Sequence, residues 1–129
     1  MAVWDFDAHH GNGTEAILGS PPHASSGAFF FASVHQHPCY PGTGLTDLGP
    51  SIRNWPVPPR APRVDHLAAL RASLDAVIAF KPDLMLVSAG FDAYAGDRIK
   101  LVGMAVQGNN AGKFVLLADA CHVGPNADG

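Results

Sequence analysis

The chain has 129 residues, which is enough for one domain at most. A hydrophobic content of 47% with 15% charged residues is typical of a globular protein and excludes a disordered one. The net charge of −3, with few and scattered Lys and Arg residues, argues against a nucleic-acid or membrane partner. No run approaches the roughly 20 apolar residues that span a bilayer, and no secretory signal is visible. We therefore expect a cytoplasmic protein with Cys39 and Cys121 as reduced thiols.

Apolar runs alternate with helical and irregular segments along the first half of the chain. Residues 2–7 have the near-continuous apolar pattern of a strand that is covered on both faces. A Gly-rich turn, a short helix over residues 14–18 and a loop over residues 19–26 follow. The aromatic and β-branched residues 28–34 predict a second strand. Seven prolines in residues 35–62 predict a long irregular excursion, a type of segment that is often functional.

The second half contains the clearest helix, over residues 64–80. Its apolar residues recur at helical spacing and form one stripe that we expect to face the core, which consists of Leu67, Leu70, Leu74, Val77 and Ile78. The helix ends at Lys81-Pro82-Asp83. Residues 84–88 predict a buried strand, and residues 52–57 and 113–118 are compatible with extended pieces. Strands that alternate with helices predict an α/β fold with a mainly parallel sheet.

Polar side chains follow the predicted strands. Asp7 and His9 are two residues apart at the end of the first strand, where alternate side chains share a face roughly 6.6 Å apart. Asp92 follows the strand at residues 84–88, and open α/β sheets bind ligands beyond the carboxyl ends of their strands. Two carboxylates and one imidazole suit zinc or a similar divalent ion and leave one position open for water. For Asp7 and His9 alone, a solvated turn is an equal alternative.

Three longer segments carry a family resemblance: WDFDAHHGNGTEAI (4–17), FFFASVHQHPCYPGTG (29–44) and PDLMLVSAGFDAYAGD (82–97). Through them the sequence resembles the histone deacetylase superfamily, most closely its bacterial histone-deacetylase-like and acetylpolyamine amidohydrolases. The resemblance implies a three-layer α/β/α fold with a mainly parallel sheet, of which this chain is an incomplete, central part. It also implies zinc-dependent hydrolysis of an acetylated amine, either acetyl-lysine or an acetylpolyamine.

The resemblance assigns metal ligands to particular residues. Asp7, His9 and Asp92 match the zinc ligands of the family. A structural monovalent-cation site, normally occupied by potassium, is matched by Asp5, Asp7, Ser33 and the carbonyl groups of His9 and Val34.

The resemblance also assigns supporting residues around the metal. Asn12 and Asp5 match positions that orient the two catalytic histidines of the family. Tyr40 matches the aromatic residue that lines the tunnel for an acyl-lysine-like chain, and Gly90 matches a position beside that tunnel. The expected partner is a small-molecule or peptide substrate, with no direct contact to nucleic acid or membrane, and a homo-oligomer is compatible with the sequence.

The resemblance assigns no catalytic residue to this chain. The paired catalytic histidines of the family and the tyrosine of its Gly-Gly-Tyr element have no counterpart in the 129 residues, and residues 98–129 match no pattern of the family. Both ends look like cuts inside a larger domain. One alternative is therefore a truncated metal-binding remnant without activity. Another is a dinuclear metallohydrolase of the arginase-like fold, for which the region after Asp92 offers only Asp97 and Asp119.

Overall fold

The computed structural model describes residues 1–90 and 113–117. This part of the chain contains five strands and three helices. Their bounds in chain order are β1 Ala2–Asp5, α1 Asn12–Leu18, α2 His23–Ser26, β2 Phe30–Gln36, β3 Ile52–Val57, α3 Arg63–Phe80, β4 Leu84–Ser88 and β5 Lys113–Leu117. No helix in the described part is long and apolar enough to cross a membrane.

The five strands form one sheet in the order β3-β2-β1-β4-β5, and every neighbouring pair is parallel. The predicted α/β fold with a parallel sheet is therefore confirmed. β1 lies in the centre, and its last residue, Asp5, is opposite Ser33 of β2 and Ser88 of β4. The carboxyl ends of the three central strands thus lie side by side, at the edge where such sheets bind ligands.

The sheet separates two apolar clusters, one on each face. Ala2, Phe30 and Ala32 pack against Val77 of α3. On the opposite face, Val3, Phe31 and Ile52 pack against Leu18 of α1. Because alternate residues of a strand point to opposite faces, these clusters give the three layers α/β/α.

The face of α3 that packs on the sheet differs from the predicted stripe. Its buried residues are Ser73 and Val77, with Ala76 and Phe80 packed beside them, whereas Ile78 is 60% exposed. The prediction that Ile78 faces the core was therefore wrong. The indole N–H of Trp4 donates a 2.9 Å hydrogen bond to the Ser73 hydroxyl, so a polar residue occupies the centre of this interface.

β3 is the outer strand of the described sheet and is adapted to that place. It contains Pro56, which lacks a backbone donor and is tolerated at sheet edges. The carboxylate of Asp47 accepts hydrogen bonds from the backbone N–H of Asn54, at 2.7 Å, and from Arg53 Nε, at 2.6 Å. The side chain of Asp47, from the loop before β3, therefore accepts a hydrogen bond from a backbone N–H group that faces the open edge of the described sheet.

Local boundaries differ from the predicted ones at α2 and β2, and α1 begins at Asn12, two residues before its predicted start. Residues 23–26, predicted as loop, form the single turn of α2, which ends at Gly27 with φ +65°. β2 extends to Gln36, two residues beyond the prediction, because His35 and Gln36 pair with Pro56 and Val57 of β3, and the Gln36 N–H also donates to the carbonyl of Ala8 at 2.9 Å. The second shift carries β2 alongside the segment that follows β1.

Candidate metal centre

The segment after β1 is bent by its own aspartates. The carboxylate of Asp5 accepts a 3.1 Å hydrogen bond from the backbone N–H of Asp7, and the Asp7 carboxylate accepts a 2.7 Å bond from the N–H of His9. Such bonds from residue i to residue i+2 are Asx turns, which compete with strand pairing. β1 therefore ends at Asp5 and not at Asp7 as predicted, and Asp7 and His9 lie on a turn beyond the strand.

The turn directs two potential metal ligands at each other. Asp7 Oδ1 lies 3.2 Å from His9 Nδ1, and the side chain of His9 is the more exposed of the two. Within residues 1–90 and 113–117, no group of three His, Cys, Asp or Glu side chains forms a metal-ligand set. Asp92, the third predicted ligand, lies outside the described residues.

Gly90 follows β4 and packs against the predicted ligand Asp7. A Cβ atom added at Gly90 would overlap the carboxylate of Asp7 and would lie 2.9 Å from the Cα atom of Asp7. The residue predicted beside the substrate tunnel is thus buried behind the turn that contains Asp7 and His9. Only a residue without a side chain fits between β4 and Asp7 in this arrangement.

Asp5 and Ser33, two of the residues predicted to bind a monovalent cation, lie on the face of the sheet that carries α1. Asp5 is 3% exposed and lies directly opposite Ser33, which is fully buried. Gly11 lies against this carboxylate so closely that an added Cβ would overlap Asp5 Oδ2. Val34, which was predicted to contribute its carbonyl group, is buried next to Ser33 in β2. The structure thus brings Asp5, Asp7 and Ser33 to one edge of the sheet.

Two further predicted residues lie around this turn. Asn12 is the first residue of α1 and is exposed, and its backbone N–H donates to the carbonyl of His10 at 2.8 Å. The ring of Tyr40 is 80% exposed, and its centroid lies 6.4 Å from that of His9. The side chain predicted to line a substrate tunnel therefore stands at the surface beside a predicted zinc ligand.

A buried polar network beneath the loop of residues 38–44 was missed by the sequence reasoning. His10 hydrogen-bonds to Thr43 and Glu15, and His35 hydrogen-bonds to Ser33 and to the carbonyl of Gly44. Burial, with the nearby His10 ring as a smaller cause, lowers the pKa of His35 from 6.5 to about 4. His35 is therefore a neutral hydrogen-bonding group at neutral pH.

Comparisons with known proteins identify the family of the chain. The family model "Histone deacetylase domain" matches residues 1–121, so the match extends beyond the segments that carry the resemblance. Histone deacetylase 10, chloroplastic, of Oryza sativa subsp. japonica is 40% identical over 92% of this chain and 26% of its own length. The histone deacetylase-like amidohydrolase of Pseudomonas aeruginosa is 36% identical over 75% of this chain and 26% of its own.

Among solved structures, the acetylpolyamine aminohydrolase of Burkholderia pseudomallei matches with a TM-score of 0.65 and 28% identity. The match covers 75% of this chain and 30% of that protein. The chain spans 30% or less of the length of these three proteins. A family match over residues 1–121, supported by the fold, shows that the chain belongs to the histone deacetylase family.

Proposed function

We propose that this chain supplies the metal-holding part of a zinc-dependent hydrolase that removes the acetyl group from an acetylated amine. The observation that carries the proposal is the pair formed by Asp7 Oδ1 and His9 Nδ1, 3.2 Å apart at the carboxyl edge of a parallel sheet. Family membership supports the hydrolase class. The substrate class, an acetyl-lysine peptide or an acetylpolyamine, is part of the proposal.

The donor pair fits a zinc ion. Protein nitrogen and oxygen ligands lie about 2.0–2.2 Å from zinc, so two ligands of a tetrahedral ion are roughly 3.3–3.5 Å apart. The 3.2 Å between Asp7 Oδ1 and His9 Nδ1 is close to that spacing. A hydrogen bond between the two groups would also produce it. Asp92 is the third ligand in this proposal, as the family resemblance implies.

The residues of this chain would hold and orient the ion. The Asp5–Asp7–His9 turn fixes the carboxylate and the imidazole before metal binding, which reduces the entropy lost on coordination. When bound, zinc polarises an amide carbonyl group and lowers the pKa of water. The histidine pair and the tyrosine of the family have no counterpart in the 129 residues, so acid–base chemistry is not assigned to this chain.

A structural potassium ion is the second cation in this proposal. The buried carboxylate of Asp5 beside the Ser33 hydroxyl, with Asp7 as the next acidic residue, supports it. These are oxygen donors, which suit hard cations. The carbonyl groups of His9 and Val34 would complete the site.

Metal titration of the 129-residue chain tests the zinc site. We expect one tightly bound Zn²⁺ per chain by calorimetry and elemental analysis. Asp7→Asn keeps the oxygen that closes the Asx turn but removes the charge, and Asp83→Asn, at an exposed position, is its control. Loss of an outer contact already weakens metal binding 10–100-fold, so Asp7→Asn should weaken it by at least ~100-fold.

The outcomes of these measurements are distinct. No bound zinc would refute the proposal, and two divalent metal ions per chain would favour the dinuclear alternative. Assays with an acetyl-lysine peptide and an acetylpolyamine then test turnover. Zinc binding without turnover of either substrate by this chain would favour the non-catalytic remnant.

A further inference from the structure

Two buried histidines lie beneath the loop that carries Tyr40. We refer to residues 38–44 as the Tyr40 loop. His10 is 4% exposed and His35 is 2% exposed, and their ring centroids are 4.5 Å apart. Neither residue was predicted as a metal ligand. Buried imidazoles require partners for both ring nitrogens, so the role of the pair can be read from those partners.

His10 connects helix α1 to the Tyr40 loop. Its Nε2 atom lies 3.2 Å from Glu15 Oε2, and its Nδ1 atom lies 2.8 Å from the hydroxyl oxygen of Thr43. The same Glu15 oxygen accepts a 2.7 Å hydrogen bond from Asn54 Nδ2. One carboxylate oxygen of Glu15, a residue of α1, therefore contacts both Asn54 of β3 and the histidine that hydrogen-bonds to the Tyr40 loop.

These partners determine where the protons lie. Asn54 Nδ2 also donates to the carbonyl of Thr46 at 3.0 Å, so the orientation of the amide is fixed by two acceptors. An ionised carboxylate can only accept, so His10 Nε2 carries the proton that faces Glu15. In the neutral ring, Nδ1 is then the acceptor and the hydroxyl of Thr43 donates to it.

The second histidine holds the next part of the loop. His35 Nε2 donates to the Gly44 carbonyl at 3.1 Å, while its Nδ1 accepts from the Ser33 hydroxyl at 2.9 Å. Gly44 has φ +80°, and an added Cβ would lie 2.5 Å from His35 Nε2 and 2.6 Å from His10 Cδ2. The Tyr40 loop therefore lies in direct contact with both rings.

We propose that Glu15 is a positioning residue that, through His10 and Thr43, fixes the Tyr40 loop beside the metal-binding turn. His10 is adjacent in sequence to His9, whose ring centroid is 6.4 Å from that of Tyr40. Glu15 thereby sets the place of an aromatic side chain relative to a predicted zinc ligand. The inference rests on the proposed function in one respect, namely that the substrate passes Tyr40.

Nitrogen-15 NMR of the 129-residue chain tests the first step. In the unmodified protein, His10 should be the Nε2–H tautomer. Glu15→Leu removes the acceptor and should convert His10 to a mixture of tautomers. Glu15→Gln should retain the native tautomer, because one oxygen of the amide can accept both existing hydrogen bonds. Ile17→Ala, at an exposed position of the same helix, is the control and should change nothing.

Fluorotyrosine NMR tests the second step. Tyr94→Phe leaves Tyr40 as the sole tyrosine, and bound Co²⁺ should then shift its fluorine resonance. Glu15→Leu should abolish this shift, and Glu15→Gln should preserve it. Thr43→Val, at an exposed position, replaces the hydroxyl group with a methyl group of similar size and should abolish the shift while His10 keeps its tautomer. If Glu15→Leu does not fold, Thr43→Val alone tests whether this hydrogen bond fixes the position of Tyr40.

The inference and the proposed function can fail separately. If Co²⁺ does not bind to the unmodified chain, the proposed metal centre fails. The tautomer of His10 and the metal-free fluorine resonance of Tyr40 still test the inference in that case. A Tyr40 resonance that is unchanged in both Glu15→Leu and Thr43→Val would overturn the inference, even if zinc binds as proposed.

Discussion

Gly90→Ala adds a single methyl group immediately behind the predicted zinc ligand Asp7. The new Cβ would overlap the carboxylate and lie 2.9 Å from the Cα atom of Asp7. The carboxylate can rotate, but the Cα atom belongs to the backbone and cannot turn aside. The substitution must therefore displace the whole residue and with it the turn that directs Asp7 toward His9.

Two magnitudes follow from this displacement. Overfilling a packed site typically destabilises a protein by ~1–3 kcal/mol. Misplacing a ligand through its neighbour typically weakens metal binding 10–100-fold, which corresponds to ~1.4–2.8 kcal/mol. The first effect depends only on packing, and the second also requires that Asp7 binds zinc.

The matched control is Gly13→Ala. An added Cβ at Gly13 meets no atom within 4 Å, and the residue lies inside α1, where alanine is favoured over glycine by up to ~1 kcal/mol. Urea unfolding and zinc calorimetry should therefore show a loss of stability and affinity for Gly90→Ala and neither loss for Gly13→Ala. A Gly90→Ala protein with unchanged stability and zinc affinity would refute the reasoning.

Stability should also depend on pH through His35. Burial, the His10 ring and more weakly the His37 ring lower the pKa of His35 to about 4, so the unfolded chain binds the proton more tightly than the folded chain does. The free energy of unfolding is therefore highest above about pH 6.5 and decreases toward pH 4, by ~3 kcal/mol at most. Urea unfolding at several pH values should show this decline, and a decline of equal size in His35→Gln would contradict it. Ser73→Ala removes the acceptor of the Trp4 indole N–H and should destabilise the protein by ~1–3 kcal/mol in the same assay, whereas unchanged stability would show that the bond contributes nothing.

The elements that sequence predicted well are those with strong local signals. The apolar run at Leu84–Ser88 and the long helix that ends before Pro82 have the bounds or nearly the bounds that were expected. The end of β1 was misjudged because Asp5 and Asp7 bond to the backbone two residues ahead, an interaction that apolar patterning does not report. An Asp-x-Asp sequence after an apolar run is nevertheless a signal for such turns.

The contacts that connect the network around His10 to distant parts of the chain had no local signal. Glu15 and Asn54 are 39 residues apart, and His10 and Thr43 are 33 residues apart. Such contacts form only after the strands are paired, so neither periodicity nor residue spacing predicts them. The pattern had suggested only that a long loop of this kind is often functional, and the structure shows which side chains anchor it.

The register of the sheet links its core to the predicted cation sites. Phe30 and Ala32 of β2 face α3, so Phe31, Ser33 and His35 face α1, on the side where Asp5 lies. A slip of one residue would move each of these side chains to the opposite face. The apolar packing against α3 therefore does more than stabilise the domain, because it holds the Asp5 carboxylate opposite the Ser33 hydroxyl. Substitutions in that apolar layer should therefore weaken cation binding by changing the strand register, although they lie away from every predicted ligand.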